Sequence, residues 1–204
     1  MILYDIGNSS IKRYENGKIE RLPLDYEIKE NGFYYISVNE KIKNLKNGTN
    51  ISGWFNLQTP YKGLGIDRIA ACYFIDTGVV IDAGSAITID VMEKGVHKGG
   101  IILPGLKAYQ KSFAKISPIL DTELDEKVSL NTLPTGTKEA ISFGVFKSIV
   151  SLVKSVSGEK RIYLTGGDGK KLKRFLENSV YKEDLLFLGM IKAIKEKDAD
   201  NSPA

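Results

Sequence analysis

Two segments of the sequence repeat a pattern that suits the binding of phosphate. In each, an apolar run leads into Asp-x-Gly and small polar residues: Asp5-Ile-Gly7-Asn8-Ser9 and Asp82-Ala-Gly84-Ser85. Glycine allows backbone N–H groups to approach a ligand closely, and the aspartate adds a carboxylate at the end of a strand. Lys12 follows the first triplet, where its ammonium group can reach a β- or γ-phosphate. The two segments together predict a nucleotide site with one turn on each side of a cleft.

A third segment, Gly65-Ile66-Asp67-Arg68, combines a carboxylate with a guanidinium group. A kinase that acts on a hydroxyl needs a carboxylate to orient the hydroxyl and accept its proton, and cations to offset the phosphoryl charge. Asp67 suits the first role. The local sequence leaves an alternative open, in which Asp67 only caps the following helix and Arg68 makes a surface ion pair.

A further glycine-rich segment, Thr165-Gly-Gly167-Asp-Gly169, lies between a predicted strand and a predicted helix. It could receive the adenosine part of a nucleotide, although a simple helix-opening turn also explains its composition. The sequence contains neither Gly-x-x-x-x-Gly-Lys-[Ser/Thr] nor a full Gly-x-Gly-x-x-Gly after a strand. Phosphate-loop NTPase and Rossmann architectures are therefore disfavoured.

The hydrophobic pattern predicts the elements that would carry these segments. Strands are predicted at 2–6, 11–14, 18–24, 32–38, 50–52, 78–91 (a pair), 99–105 and 161–164. Helices are predicted at 41–47, 63–75, 106–116, 137–156, 169–178 and 185–197, with Thr137 as a cap, a loop at 117–134 and fraying from 198. The repeated strand, turn and strand in each half indicates an α/β fold with two similar halves.

Composition narrows the class of protein. The 204 residues are 42% hydrophobic, enough for one large or two small domains, and the charge of +4 comes from 29 basic and 25 acidic residues spread along the chain. That weak bias is compatible with an anionic ligand and predicts no nucleic-acid partner. A single cysteine, Cys72, and an opening without a leader pattern indicate the cytoplasm. Apolar runs such as 185–191 are too short to span a membrane.

The motifs, in their order along the chain, resemble those of the type III pantothenate kinases, which belong to the actin/Hsp70/sugar-kinase superfamily. Five segments carry the resemblance: 5–12, 65–68, 82–90, 99–105 and 165–167. It implies a duplicated ribonuclease-H-like (actin-like ATPase) α/β fold, with mixed-sheet domains at 1–76 and 77–204 around a nucleotide cleft. It also implies that ATP phosphorylates pantothenate to 4′-phosphopantothenate, the first step of coenzyme A biosynthesis.

The resemblance also assigns roles to individual residues. It implies that ATP is bound by Asp5, Ile6, Gly7, Asn8, Ser9, Ser10, Ile11, Lys12 and Ser85. It implies that pantothenate is bound by Tyr61, Gly65, Ile66, Asp67, Arg68 and Thr137, with Asp67 as the proton acceptor. Asp5 would lie near Mg²⁺, directly or through water, and Asp82 would ligate K⁺ or NH₄⁺. Family members are homodimers in which the partner subunit helps to close the substrate site.

Several departures and alternatives accompany this interpretation. Ser9 and Ser85 stand where the family more often has threonine, and the spacing from Tyr61 to Gly65 is short. His97 is predicted to be a surface residue in a polar turn, without a role. The alternatives are another kinase or phosphatase of the superfamily, or a non-catalytic regulator of gene expression. Retention of Asp67 and Lys12 favours the enzyme.

Overall fold

The structure is a computed structural model that describes residues 1–42 and 44–200. The chain divides into two compact units. The first contains Met1–Asp76, Met92–Gly99 and the described residues from Asp184 onward, and the second contains Thr77–Val91 and Gly100–Glu183. The division into ribonuclease-H-like domains at 1–76 and 77–204 stays a prediction.

The first unit is built on a five-stranded sheet. Its strands are β1 (Ile2–Ile6), β2 (Ile11–Glu15), β3 (Lys18–Leu22), β4 (Phe33–Ser37) and β5 (Gly48–Asn50), in the order β3-β2-β1-β4-β5. β1 runs antiparallel to β2 and parallel to β4. Asn16 and Gly17 both have positive φ, as a tight hairpin turn between β2 and β3 requires.

Helices complete the first unit. They are a 3₁₀ helix (Ser52–Trp54), α1 (Ile66–Tyr73) and α5 (Leu185–Asp200). α1 and α5 pack closely, because a Cβ at Gly189 of α5 would overlap the carbonyl group of Ala70. On the sheet, the buried rings of Tyr4 and Phe33 meet edge to face at 5.0 Å. This packing fixes β1 and the N-terminal end of α1, the two elements that carry Asp5 and Asp67.

The second unit repeats the strand arrangement of the first. Its strands are β6 (Gly78–Ala83), β7 (Ala86–Glu93), β8 (Val96–Pro104), β9 (Ile162–Thr165) and β10 (Ser179–Tyr181), in the order β10-β9-β6-β7-β8. β6 and β9 are parallel, as are β9 and β10. Read from β8, the order matches that of the first sheet read from β3. The duplicated α/β arrangement predicted from the repeated turns is therefore present.

Three α-helices belong to the second unit, namely α2 (Leu106–Ile116), α3 (Thr137–Ser157) and α4 (Gly169–Lys173). Among the described residues, α3 is long and apolar enough to cross a membrane by length and composition. Its buried side chains, including Phe146, Ile149 and Val153, belong to the core of the second unit together with Ile81 of β6. This core accounts for the apolar composition of α3.

Some predicted elements are wrong. Residues 41–42 and 44–47 form turns and irregular structure instead of a helix, and Lys43 lies outside the described residues. Ile42 and Leu45 have helical spacing, but they pack on the first sheet from a loop. The helix predicted at 169–178 ends at Lys173, and β10 follows it. α5 remains helical through Asp200, past the position where fraying was predicted, whereas 201–204 lie outside the described residues.

Candidate active site

The first predicted phosphate turn begins with a charge pair between neighbouring strands. The antiparallel register places Asp5 of β1 directly opposite Lys12 of β2. Lys12 Nζ lies 3.0 Å from Asp5 Oδ2, and only 4% of Asp5 is exposed. Because burial of a carboxylate is costly without a partner, the nearby ammonium group compensates for the burial of Asp5.

The turn between these strands is tight, and its tip is exposed. The Gly7 N–H donates to the Ser10 carbonyl at 3.1 Å, and a Cβ at Gly7 would lie 3.1 Å from the same oxygen. Asn39 Nδ2 donates to the Gly7 carbonyl at 3.3 Å and holds the turn from β4. Asn8 and Ser9 are exposed at the tip. The segment therefore has the form predicted for a phosphate contact, although its contact with ATP stays a prediction.

Asp67 lies in the first turn of α1, two residues after Gly65. Gly65 is the N-cap residue and Asp67 occupies the second helical position, so Asp67 is not the N-cap that the alternative interpretation predicted. Asp67 Oδ1 accepts the Arg68 N–H at 2.9 Å. A Cβ at Gly65 would lie 2.6 Å from the same carboxylate oxygen. Glycine at 65 thus allows the Asp67 carboxylate to fold back over the start of the helix.

The surroundings of Asp67 change its acidity. Burial raises the pKa of this carboxyl above its usual value, and the Arg68 N–H that donates to it opposes the rise. The negative charge of Asp5 raises the pKa of Asp67 further, whereas the positive charge of Arg68 lowers it. Asp5, 62 positions earlier in the sequence, therefore influences Asp67 within the first unit. A carboxylate with a raised pKa is a stronger proton acceptor when it is ionised.

Tyr61 and Arg68 contact each other beside Asp67. Arg68 is buried, and its Cζ lies 4.7 Å from the centroid of the Tyr61 ring, within the range of a cation–π interaction. The loop that carries Tyr61 thus returns to α1 despite its short spacing from Gly65. Three residues predicted to bind pantothenate are brought together here, and their roles stay predictions.

The prediction for His97 is wrong. His97 lies in β8 and is 0% exposed, and its Nδ1 is 2.7 Å from Thr59 Oγ1. Polar neighbours suggested a surface turn, but burial in this strand follows a period of two, since Val96 is partly buried and Lys98 is exposed. Alternation read from the sequence alone would have placed the apolar Val96 on the buried face, so the sequence carried no signal that His97 faces inward.

The second predicted phosphate turn is shaped by close backbone approaches. Asp82 near the end of β6 pairs in register with Thr165 of β9. The next residue, Gly166, has a φ of 80°, and a Cβ there would overlap Asp82 Oδ1 and the Ala83 carbonyl. Only glycine therefore fits between the end of β9 and the carboxylate of Asp82.

Another glycine completes the surroundings of this turn. The Gly105 N–H donates to the Ser85 carbonyl at 3.2 Å, and a Cβ at Gly105 would overlap the Ser85 backbone. The Asp168 N–H donates to the Ala83 carbonyl at 2.9 Å. The glycine-rich segments at 82–85 and 165–169 thus meet in the second unit, where Gly105 also contacts Ser85, which is exposed. The third segment therefore packs against the second turn, and its contact with adenosine stays a prediction.

Thr137 is exposed at the first position of α3. The N-cap residue is Gly136, and no side chain makes the capping hydrogen bond. The prediction of Thr137 as a cap is therefore wrong, while its contact with pantothenate stays a prediction.

The donor sets are compatible with the predicted cations. Carboxylate oxygens are ligands that hard cations such as Mg²⁺ and K⁺ take in proteins. Asp5 offers such oxygens beside the exposed turn at Asn8 and Ser9, and Asp82 offers them where glycine backbone crowds the turn. The assignment of a cation to either turn stays a prediction.

Comparison with known proteins identifies the family of the chain. The family model described as type III pantothenate kinase matches residues 39–159. A Helicobacter hepaticus protein named type III pantothenate kinase is 47% identical over 205 residues, which cover 97% of this chain and 100% of that protein. A crystal structure of a Campylobacter jejuni protein, assigned to the Baf family of transcriptional activators, matches with a TM-score of 0.91 and 44% identity. The match covers 98% of this chain and 100% of that one.

A more distant structure supports the fold alone. A Sinorhizobium meliloti protein described as a 2-dehydro-3-deoxygalactonokinase matches with a TM-score of 0.57 and 10% identity, covering 96% of this chain and 98% of that one. Its likeness agrees with the actin-like ATPase fold that the resemblance to the type III pantothenate kinases implies.

Proposed function

Because the chain belongs to the type III pantothenate kinase family, we propose that it transfers the γ-phosphoryl group of ATP to the primary hydroxyl of pantothenate. The product is 4′-phosphopantothenate, and the reaction is the first step of coenzyme A biosynthesis. The observation that carries the proposed mechanism is the environment of Asp67, whose pKa is raised by burial and by the charge of Asp5.

Asp67 is the general base of the proposed reaction. The pantothenate hydroxyl oxygen attacks the γ-phosphorus, the bond from that phosphorus to the β,γ-bridging oxygen breaks, and ADP leaves. The hydroxyl proton passes to a carboxylate oxygen of Asp67. Transfer of this kind depends mainly on positioning and on stabilising charge at the phosphoryl oxygens. Arg68, beside Asp67, is suited to holding the acceptor near the base.

The phosphates of ATP are assigned to the two glycine turns. The exposed tip at Asn8 and Ser9 offers donors for them, and Lys12 can direct its ammonium toward the β- or γ-phosphate from β2. Ser85 would contact ATP from the second turn. A lysine is a mobile point charge, so Lys12 can serve both Asp5 and a phosphate oxygen.

Two cations are part of the proposal. Asp5 would hold Mg²⁺ directly or through water, and Asp82 would hold K⁺ or NH₄⁺. A divalent ion between phosphate oxygens neutralises the charge that develops during transfer. The Asp5 carboxylate beside the first turn, and the crowded backbone at Asp82 and Gly166, support these assignments.

A homodimer is the proposed assembly. Ile116 at the end of α2 and Ile119 in the following turn are 71% and 75% exposed, unusual positions for large apolar side chains. A second copy would cover them. We expect twice the chain mass by light scattering, and a shift to the single-chain mass in Ile119→Glu. The control Lys29→Glu changes an exposed side chain of the first unit and should leave the mass unchanged. If Ile119→Glu remained dimeric, Ile119 would not belong to the dimer interface.

The cytoplasm is the proposed location, since ATP is available there and a single cysteine, Cys72, cannot form a disulfide within the chain. Fractionation of cells that produce the protein tests this, and recovery with the membrane pellet would contradict it.

The description of the Campylobacter jejuni structure suggests a regulator of gene expression as an alternative. Such a protein would have no need of a base with a raised pKa, nor of the ion pair between Asp5 and Lys12. These features favour the enzyme. Among enzymes, the choice of pantothenate over another hydroxylated acceptor rests on family membership.

A coupled ADP-release assay tests the function. Purified protein is supplied with ATP, Mg²⁺ and K⁺ and with one acceptor at a time, namely pantothenate, a set of sugars or acetate. We expect turnover with pantothenate alone. Turnover with a sugar or acetate but not with pantothenate would assign another substrate, and no turnover with any acceptor would favour the regulator.

A further inference from the structure

The loop that carries Tyr61 is tied to the start of β8 by its backbone. Gln58 forms an isolated parallel bridge with Val96, and the His97 N–H donates to the Gln58 carbonyl at 2.9 Å. The loop between the 3₁₀ helix and α1 has no regular structure at 59–61. Irregular loops need such ties to hold a fixed conformation.

A side-chain contact continues the same connection. His97 Nδ1 lies 2.7 Å from Thr59 Oγ1, and Thr59 Oγ1 accepts the Tyr61 N–H at 3.0 Å. The Thr59 hydroxyl therefore joins a fully buried imidazole to the backbone of the residue predicted to touch substrate. A threonine hydroxyl has one proton and two lone pairs, so it can make both contacts at once.

The other side of the loop faces the helix that carries the base. The Tyr61 ring lies against the guanidinium of Arg68, 4.7 Å from ring centroid to Cζ, and its centroid is 6.1 Å from that of His97. Arg68 follows Asp67 directly and donates its N–H to the Asp67 carboxylate. Contacts thus run without a break from β8 through Thr59 and Tyr61 to the start of α1.

We propose that His97 is a positioning residue, which acts through Thr59 to fix Tyr61 and Arg68 at the pantothenate site. The inference rests on the proposed contact between Tyr61 and pantothenate. A histidine that served only to fill the core would not need a partly exposed loop hydroxyl as its partner, nor would that hydroxyl need to hold the Tyr61 backbone. The pair acts on the acceptor and not on the nucleotide.

Variants of Thr59 separate this role from general stability. Thr59→Val keeps the shape of the side chain and removes the hydroxyl, whereas Thr59→Ser keeps the hydroxyl and removes a methyl group. Loss of a hydrogen bond that fixes a substrate contact is expected to raise KM for pantothenate by about tenfold in Thr59→Val. KM for ATP should remain within about twofold, because Thr59 contacts His97 and Tyr61 on the acceptor side, and substitutions away from a site have small effects on it. Thr59→Ser should restore the KM for pantothenate.

His97→Asn provides a second test from the other side of the bond. An Asn amide can occupy the place of Nδ1 and keep the hydrogen bond to Thr59, so KM for pantothenate should stay near the wild-type value in His97→Asn. In His97→Leu, which cannot make this bond, KM for pantothenate should rise. In the double variant Thr59→Val/His97→Leu, the rise in KM for pantothenate should be no larger than in the worse single variant, because both changes remove one interaction. Additive effects, or an unchanged KM in Thr59→Val, would overturn the inference.

The single histidine of the chain allows the same bond to be observed without turnover. In a ¹⁵N-labelled protein the imidazole of His97 gives the only histidine ring signals, and the Nδ1 signal should shift in Thr59→Val and return in Thr59→Ser. An unchanged Nδ1 signal in Thr59→Val contradicts the inference even if pantothenate is the substrate. A shifted signal in a protein that never phosphorylates pantothenate instead contradicts the proposed function and leaves the hydrogen bond established.

Discussion

The two Asp-x-Gly turns stand at the same place in two sheets of the same strand order, but they are stabilised differently. After Asp5, the turn closes from the Gly7 N–H to the Ser10 carbonyl, and after Asp82 it closes one residue sooner, from the Gly84 N–H to the Ala86 carbonyl. Each turn is followed by a buried isoleucine, Ile11 or Ile87. Aligned on these isoleucines, Lys12 in the first half corresponds to Thr88 in the second.

This difference indicates a division of roles between the halves. The carboxylate of Asp5 has a lysine of its own chain beside it, at 3.0 Å. The carboxylate of Asp82 instead lies against the backbone of Gly166, whose missing Cβ makes the close approach possible. A duplicated fold can thus place the ammonium group of a lysine at one turn and, in our proposal, a bound monovalent cation at the other.

Among the changes that test this difference between the turns, replacement of Lys12 should have the largest effect on activity. Lys12→Met removes the cation proposed for the phosphates and leaves Asp5 buried without that ion pair, so kcat/KM for ATP should fall by about 100- to 1,000-fold. The matched control is Thr88→Ala, at the corresponding position of the second half, which should change kcat/KM by less than about threefold. Steady-state kinetics measure both. Equal losses in the two variants would show that the halves do not divide the roles in this way.

Removal of the monovalent cation tests the second turn. In a buffer of a large organic cation, without K⁺ or NH₄⁺, activity should fall by about tenfold or more, because the charge of Asp82 would lose its proposed partner. Asp82→Asn should be slow and indifferent to K⁺. Full activity of the wild-type protein without either cation would exclude Asp82 as their essential ligand.

A smaller effect is expected on stability, which should differ between alanine substitutions of two glycines at the second turn, Gly166 and Gly84. Gly166→Ala imposes a positive φ on alanine and pushes its Cβ into Asp82, so the free energy of unfolding should fall by about 1–3 kcal/mol. In the matched variant Gly84→Ala, the new Cβ would have its nearest neighbours at 3.8 Å, which is ordinary contact. Chemical denaturation should show little change there, and equal losses would contradict the described packing.

The repeated turns were predictable because their signals are local. Aspartate, glycine and small polar residues within a few positions specify a tight turn, and an antiparallel hairpin then brings Lys12 opposite Asp5. The repetition of the pattern also predicted two similar halves, which the matching strand orders confirm. None of these inferences required knowledge of contacts between distant parts of the chain.

Other features depend on packing that the local pattern does not contain. The effect of Asp5 on the pKa of Asp67, and the contact of Thr59 with His97, join residues far apart in sequence. The prediction of a helix at 41–47 was wrong. Ile42 and Leu45 are spaced as in a helix, but they lie in a loop and pack on the first sheet. Strand β10 was missed because its three residues give too short a pattern.

The raised pKa of Asp67 carries a consequence for stability. A carboxyl whose pKa is higher in the folded protein than in the unfolded chain holds its proton more tightly when folded. Its unfavourable contribution is absent below the unfolded pKa, grows as pH rises through the interval between the two values, and is complete above the folded pKa. At neutral pH, Asp67→Asn should therefore be at least as stable as the wild-type protein.

Pantothenate phosphorylation by Asp67→Asn, with thermal unfolding of the same sample at neutral pH, tests the assignment of Asp67 as the general base most directly. We predict that kcat falls by about 100-fold or more, as loss of a general base implies, while the melting temperature is unchanged or higher. A variant that retains wild-type kcat would contradict the assignment of Asp67 as the base.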